Sequence, residues 1–262
     1  MAKLVPLFSS SKGNSYYLQG NDSAILIDAG RSCKQIENAL LINDLDMKNV
    51  RNVFITHEHS DHVGALKVLA SRYDLTVYAT KGTLEALYEQ DKISASTRCI
   101  EITDKIETDD FKVERVDTSH DSRESCGFLI TTPDNKKCAI VTDTGFLTQS
   151  AINAISCSKC AVIESNHDVD MLKSGGYPYI LKKRILSMTG HLSNADCSKM
   201  LPKFVQSGAN RLVLAHLSEE NNTAKIAMDE AIKALLNSNM KRDIDFTLDI
   251  APVETNKKSV IF

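Results

Sequence analysis

Short apolar runs with alternating polar positions predict strands over residues 4–8, 16–19, 24–28 and 52–55. Between them, apolar residues recur at helical spacing over 31–41, and 63–70 is apolar on one side, as a helix lying on a sheet would be. A strand over 75–79 and a helix over 82–90 complete this pattern. From residue 99 to 141 the texture turns to β, with strands over 111–116, 127–131 and 137–141. The remainder alternates again: a strand over 161–163, a helix over 179–186, and a helix over 195–206 capped by Asn194 and stopped at Gly208. A strand over 211–215, a helix over 223–236 and a strand over 246–250 follow. Strands alternating with helices place the chain in the α/β class.

Composition narrows the setting. At 262 residues, 42% hydrophobic and 25% charged, the chain suits one domain, 1–262, with no repeat or low-complexity tract. No stretch approaches the ~20 apolar residues of a membrane span, and no signal-peptide pattern opens the chain, so a cytoplasmic protein without membrane attachment is expected. The seven cysteines are odd in number and scattered, which suits reduced thiols. Cys157 and Cys160 form a lone CxxC, read either as a metal or redox motif or as a helix end leading into the strand over 161–163. A net charge of −3 argues against a broad basic surface but leaves nucleic acid open, because bound cations would make an acidic pocket positive.

The chemistry concentrates in Thr56-His57-Glu58-His59-Ser60-Asp61-His62, directly after the strand over 52–55. In an extended chain His57 and His59 project to one side, while Asp61 and His62 lie beyond the turn and can reach a second ion. The other histidines, His120, His167, His191 and His216, also fall at strand ends or just after them. Imidazoles and carboxylates so placed suit zinc, manganese or iron. They divide into His57, His59 and His120 around one divalent ion and Asp61, His62 and His216 around another, with Asp143 bridging both and positions left open for water. Asp28, at a strand end, is either the carboxylate that orients an imidazole or a helix cap. The connection over 9–15 is either an anion-binding concavity built on Ser11, Gly13 and Asn14 or an ordinary hairpin.

HEHSDH matches the HxHxDH signature of the metallo-β-lactamase superfamily, and Asp28, His120, Asp143 and His216 stand in the order of its remaining motifs. The chain therefore resembles that superfamily throughout, which implies a four-layer αββα sandwich with a dinuclear site at one edge of its two sheets. Ser11-Lys-Gly-Asn14, Glu164-Ser-Asn-His-Asp168, Gly190-His-Leu-Ser-Asn194 and Leu217-Ser-Glu-Glu-Asn-Asn222 are similar to the bacterial YycJ/WalJ group. That resemblance implies a DNA exonuclease acting 5′ to 3′, with a hydroxide bridging two divalent metals (zinc or manganese, with iron as a third option). The stretch between Asp143 and His191 is too short for the large cap domain of the β-CASP nucleases.

In such an enzyme His191, with Glu164 as its acidic neighbour, is the candidate to protonate the leaving alkoxide; the alternative makes it a helix-start residue bonded to backbone. Asp61 is counted with it in the catalytic apparatus. Ser11, Gly13, Asn14, Asn166, His167 and Asn194 are the candidate substrate contacts, His167 having a loop-stabilising role as its alternative. The basic run Lys182-Lys183-Arg184 is read as a guide for a nucleic-acid backbone or a solvated helix face, and Tyr177 and Tyr179 as base-stacking or core residues. The competing function is a small-molecule hydrolase of the same fold acting on a cyclic phosphodiester, thioester or lactone. Protein partners are not legible.

Overall fold

The computed structural model describes residues 2–262. The first half of the chain builds one sheet. β1 (Lys3–Ser10) and β2 (Gly13–Gln19) pair as a hairpin, β3 (Ala24–Ile27) adds antiparallel to β2, and β4 (Val50–Phe54), β5 (Thr76–Ala79) and β6 (Cys99–Glu101) continue in parallel. The second sheet starts as an antiparallel meander of β7 (Lys105–Glu107), β8 (Lys112–Asp117), β9 (Cys126–Thr131) and β10 (Lys137–Val141). It then runs parallel through β11 (Cys160–Glu164), β12 (Arg211–Ala215) and β13 (Thr247–Ile250). β14 (Val260–Ile261) returns to pair with β1, giving each sheet seven strands.

The helices are α1 (Cys33–Ile42), α2 (Ser60–Val63), α3 (Leu66–Tyr73) and α4 (Lys81–Glu89) in the first half. In the second they are α5 (Gln149–Ser156), α6 (Val169–Ser174), α7 (Tyr179–Ile185), α8 (Asn194–Ser207) and α9 (Ala224–Asn237). The layering follows from the period-two geometry of the central strands, which are apolar on both faces. Leu26 and Val53 turn outward to Ile36, Leu66 and Leu69 of α1 and α3. Ala161, Ile163, Leu212 and Leu214 turn outward on the other side to α5, α8 and α9. The alternate residues, Ile25, Ile27, Phe54, Val162 and Val213, fill the space between the sheets. There Phe54 stacks on Tyr78 at 4.6 Å between centroids and meets Phe128 of the opposite sheet edge-on at 5.7 Å. The result is the four-layer αββα sandwich that the resemblance implies.

Three local readings change. The helix expected over 63–70 is two pieces, α2 and α3, because the Ala65 amide is drawn away to the Ala29 carbonyl at 2.8 Å. The connection expected over 9–15 is a tight turn at Ser11 and Lys12, since β1 runs to Ser10 and β2 begins at Gly13. α8 is capped by Ser193, whose hydroxyl accepts from the Asp196 amide, and Asn194 is its first helical residue. Cys157 is exposed at the end of α5 while Cys160 is buried in β11, facing the core between the sheets.

Candidate metal centre

Most groups reach the centre at the carboxyl end of a strand; the exceptions are Asn14, at the start of β2, and His191, expected after a strand but lying in the loop between α7 and α8. β3 leads to Asp28, β4 to the His57–His62 run, β8 to His120, β10 to Asp143, β11 to Glu164 and β12 to His216. Asp28, Asp143 and His216 leave their strands with φ of 62°, 56° and 55°. That left-handed conformation costs an L-residue roughly 1–3 kcal/mol. Here it turns three polar side chains inward from strands whose alternation would otherwise keep apolar residues at the core. The chain must also pass close: a Cβ on Gly30 would lie 1.9 Å from the Asp61 carbonyl oxygen, and one on Gly190 would lie 2.2 Å from that of Ile185.

Six of the seven histidines gather in one cluster, with neighbouring ring centroids 4.1–6.1 Å apart. Their orientation is set from behind. His57 Nδ1 is 3.0 Å from the Thr56 hydroxyl, His62 Nδ1 donates to Asp28 at 2.8 Å, His120 Nδ1 donates to the Gly190 carbonyl at 3.0 Å, and His216 Nδ1 donates to Glu164 at 2.9 Å. Asp28 is itself held by the Thr56 amide and hydroxyl. Each of these four rings therefore presents Nε2 to the centre, as ligand imidazoles need. His59 presents Nδ1 instead, 3.1 Å from His57 Nε2 and 3.3 Å from His120 Nε2.

The donor spacings fit a cation. Tetrahedral ligands at ~2.0–2.1 Å from zinc stand about 3.3 Å apart. The His57, His59 and His120 atoms meet that spacing. So do His62 Nε2 with Asp61 Oδ2 at 3.4 Å and with Asp143 Oδ2 at 3.4 Å, and His216 Nε2 with Asp61 Oδ2 at 3.7 Å. Asp143 Oδ2 and His216 Nε2 are buried with no hydrogen-bond partner among the described residues, which a metal would supply. A further group, Asp143, Glu164, His191 and His216, has donors equally close. It reads differently, because His191 Nδ1 and His216 Nδ1 both point at Glu164 Oε1 at the hydrogen-bonding distances of 2.7 and 2.9 Å. Glu164 Oε2 also accepts from the amides of Thr144 and Leu192. That carboxylate is an anchor for two rings.

The cluster is electrostatically divided. Burial depresses His57 far below the ordinary histidine value, and the neighbouring imidazoles add to it; burial likewise lowers His120. For His62, burial opposes charge but Asp143, Asp28 and Asp61 outweigh it and raise it well above the ordinary value. Burial also opposes charge on His216, where Asp143, Asp61 and Glu164 win and push it up to about 10. Burial would raise Asp61 and Glu164, yet His62 and His216 pull the first down, and His191 and His216 the second. A histidine raised in the folded state contributes stability that is complete below ~6.5 and is lost as pH climbs through the folded value. The metal-free protein is therefore expected to lose thermal stability between pH 7 and 10. It should also release protons from the Asp61, His62 and His216 side on binding zinc, since ligands must be deprotonated. Calorimetry in buffers of differing ionisation enthalpy at pH 7 reads this directly, and zero proton release would contradict it.

The remaining candidates are placed as follows. Asn14 lies at the centre, its amide 3.2 Å from Asp61 Oδ2 and 3.1 Å from His62 Nε2. Ser11 is exposed at the hairpin turn, and Gly13 lies buried under the Arg31 side chain, so no open concavity forms there. The Asn166 amide donates to the His216 carbonyl, and Asn194 bonds Ser165 and Asn222. His167 is buried outside the imidazole cluster, with neither ring nitrogen bonded among the described residues. In the basic run, Lys182 donates to the carbonyls of Lys173 and Gly175, Arg184 pairs with Asp121, and Lys183 is exposed. Tyr179 is exposed and Tyr177 half-buried. Thr56, the Gly190 carbonyl and Ser9, whose hydroxyl accepts from the His216 amide at 2.8 Å, were not among the sequence candidates. Of these only Thr56 carries a signal in the sequence, its place directly before the histidine run.

The family model for the beta-lactamase superfamily domain matches residues 23–217. The chain is 37% identical to exodeoxyribonuclease YycJ of Bacillus anthracis, with 84% of each chain covered. It is 34% identical to exodeoxyribonuclease WalJ of Streptococcus pneumoniae, covering 94% of this chain and 93% of that one. Among solved structures, the metallo-beta-lactamase fold protein YhfI of Bacillus subtilis superposes with a TM-score of 0.71 at 16% identity over 97% of both chains. A diphosphatase of the PhnP family gives 0.68 at 14% identity over 100% of this chain and 98% of its own; these two likenesses concern the fold. Imidazoles spaced for a cation on such a sandwich, together with relatives matched over most of their length, lead to one conclusion: the chain belongs to the beta-lactamase superfamily, in the YycJ/WalJ group, and is a metal-dependent hydrolase.

Proposed function

We propose that the chain is a DNA exonuclease that holds two divalent ions and degrades its strand 5′ to 3′. The observation that carries this reading is the His191–Glu164 pair. His191 stands beside the ligands, its ring 5.0 Å from that of His120 and 5.2 Å from that of His216, with its side chain 13% exposed. Nδ1 is tied to Glu164 at 2.7 Å, which leaves Nε2 to hold a proton at the mouth of the centre. A phosphodiester with an alkoxide leaving group needs such a donor.

In this reading His57, His59 and His120 would hold one ion and Asp61, His62 and His216 the other, with Asp143 available to both. Two such ions, when bound, would supply a hydroxide at neutral pH and offset charge developing on the phosphate. The protein's own part is to fix the ligand rings through Thr56, Asp28, Gly190 and Glu164, and to hold the proton on His191. Asn14, whose side-chain amide faces the Ser10 carbonyl, Asp61 and His62, is in this reading the residue that supports the Asp61 and His62 side next to the phosphate. The names of the YycJ and WalJ relatives support DNA as the polymer. Exposed Phe146, Tyr179, Ile180 and Met188 lie on segments flanking β10 and His191 and suit unstacked bases.

The test supplies Mn²⁺ or Zn²⁺ and compares single-stranded and duplex DNA labelled at either end, RNA, bis-p-nitrophenyl phosphate and a lactone. Release of the 5′ label in the earliest products, with the 3′ label retained in a shortening ladder, is expected. Lactone hydrolysis without cleavage of any polymer would overturn the reading in favour of a small-molecule hydrolase.

A further inference from the structure

We infer that Arg31 is a binding residue for a second phosphate of the substrate strand, next to the one undergoing hydrolysis and on the Asp61 side of the centre. This deepens the nuclease reading and rests on it.

Arg31 is placed where a cation gains little from the folded protein alone. Its backbone is left-handed, with φ of 72°, a costly conformation for a long side chain. It immediately precedes Ser32, the N-cap of α1, so its charge stands beside the positive end of that helix. The side chain is half-buried and lies along β2, where a Cβ on Gly13 would come within 2.4 Å of Arg31 Cγ and 2.7 Å of Cδ. The guanidinium carbon sits 5.6 Å from the centroid of the Phe8 ring. Nε is buried without a partner, and the side chain makes no hydrogen bond or ion pair among the described residues. Glu219, an acid within the field of Arg31, is already paired with Lys12 at 2.5 Å.

Glycine at position 13 thus leaves room for this one side chain, and its guanidinium stands over the Phe8 ring. A guanidinium that is fixed yet unpaired offers its planar fork to an anion, and phosphate is the anion that fork matches. The location specifies which phosphate. Gly13 is adjacent to Asn14, whose amide touches Asp61 and His62, and Gly30 packs against the Asp61 backbone. The site is therefore adjacent to the metal ligands without being one of them. A monomeric phosphodiester has nothing to place there, whereas a strand has its next phosphate. Lys12, at the hairpin turn on the same rim, is neutralised by Glu219, which leaves Arg31 as the unpaired cation there.

The experiment compares wild type, Arg31→Gln and Arg31→Lys in the metal-loaded protein, using a single-stranded oligonucleotide and bis-p-nitrophenyl phosphate. For Arg31→Gln the ratio of kcat/KM on the oligonucleotide to that on bis-p-nitrophenyl phosphate is expected to fall by about tenfold or more, as for loss of a charge-assisted hydrogen bond. The slope of log KM for the oligonucleotide against log salt concentration should shrink by about 0.7, the value for one phosphate contact on a single strand. Arg31→Lys should keep the slope, because it keeps the charge. Equal losses on both substrates with an unchanged slope, or no change on either, would overturn the assignment while leaving the nuclease reading intact. Failure of wild type to cleave any oligonucleotide would bring down that reading and this inference together.

Discussion

His191→Ala is expected to retain its full complement of metal while its turnover of DNA falls by roughly 10²–10⁴-fold, the contribution of a positioned proton donor. Two features separate this from a structural loss. His191 Nδ1 is committed to Glu164, and the Glu164 carboxylate keeps three other partners, the Thr144 and Leu192 amides and His216, so its burial remains compensated in the variant. The loss should also depend on the leaving group. Bis-p-nitrophenyl phosphate expels a stable phenolate that has little need of a proton, so the variant should be much less impaired on it than on DNA. Metal analysis together with the two substrates checks the assignment. Metal content reduced by half would make His191 a ligand, and equal impairment on both substrates would remove its role as a proton donor.

Asp143→Asn is expected to have the largest effect on metal binding. Asp143 Oδ2 lies 3.4 Å from His62 Nε2, and Oδ1 lies 3.3 Å from His216 Nδ1 and 3.9 Å from His120 Nε2, so one carboxylate faces donors of both ligand groups. Asparagine preserves the volume and tolerates the left-handed φ of 56°, which leaves the lost negative charge as the main change. Affinity should fall by more than the roughly 10–100-fold that accompanies loss of an outer partner. A ligand that binds only the folded state raises its stability by mass action. Wild type should therefore gain melting temperature on addition of zinc or manganese, and Asp143→Asn should gain little at the same concentration. An undiminished shift in the variant would show that this carboxylate is not a shared ligand.

The centre was legible in sequence because it needs rare residues at strand ends, and strand ends are marked by the change from apolar alternation to polar groups. Asp28, the His57–His62 run, His120, Asp143, Glu164 and His216 all carry that mark; His191 does not, since it lies between α7 and α8, and the structure brings it to the same centre from a helix-flanked loop. What orients them was less legible. Thr56 and Asp28 fix His62 and His57 through contacts set by parallel pairing of β3 with β4, and the Gly190 carbonyl that fixes His120 is a backbone group without a side-chain signature. The long helices were bounded to within one or two residues because their apolar period persists for several turns. α6, with six residues, and β6 and β7, with three each, are too short for any period to declare itself. The stretch over 9–15 looked like a loop because serine, glycine and asparagine dominate it. Its strand residues are polar for another reason: Ser9 and Asn14 face His216 and Asp61. Asn194 and Ser193 are both good caps, and composition alone does not choose between neighbours.

The division of the ligands between the two sheets has a consequence for the order of synthesis. In the proposed assignment the first sheet contributes His57, His59, Asp61 and His62, and the second contributes His120, Asp143 and His216. Neither half of the chain carries the complete set, and the last ligand emerges only after β12 has been translated. On that assignment a growing polypeptide is expected to stay hydrolytically silent until both halves have met, the chemistry switching on only when tertiary assembly is nearly complete.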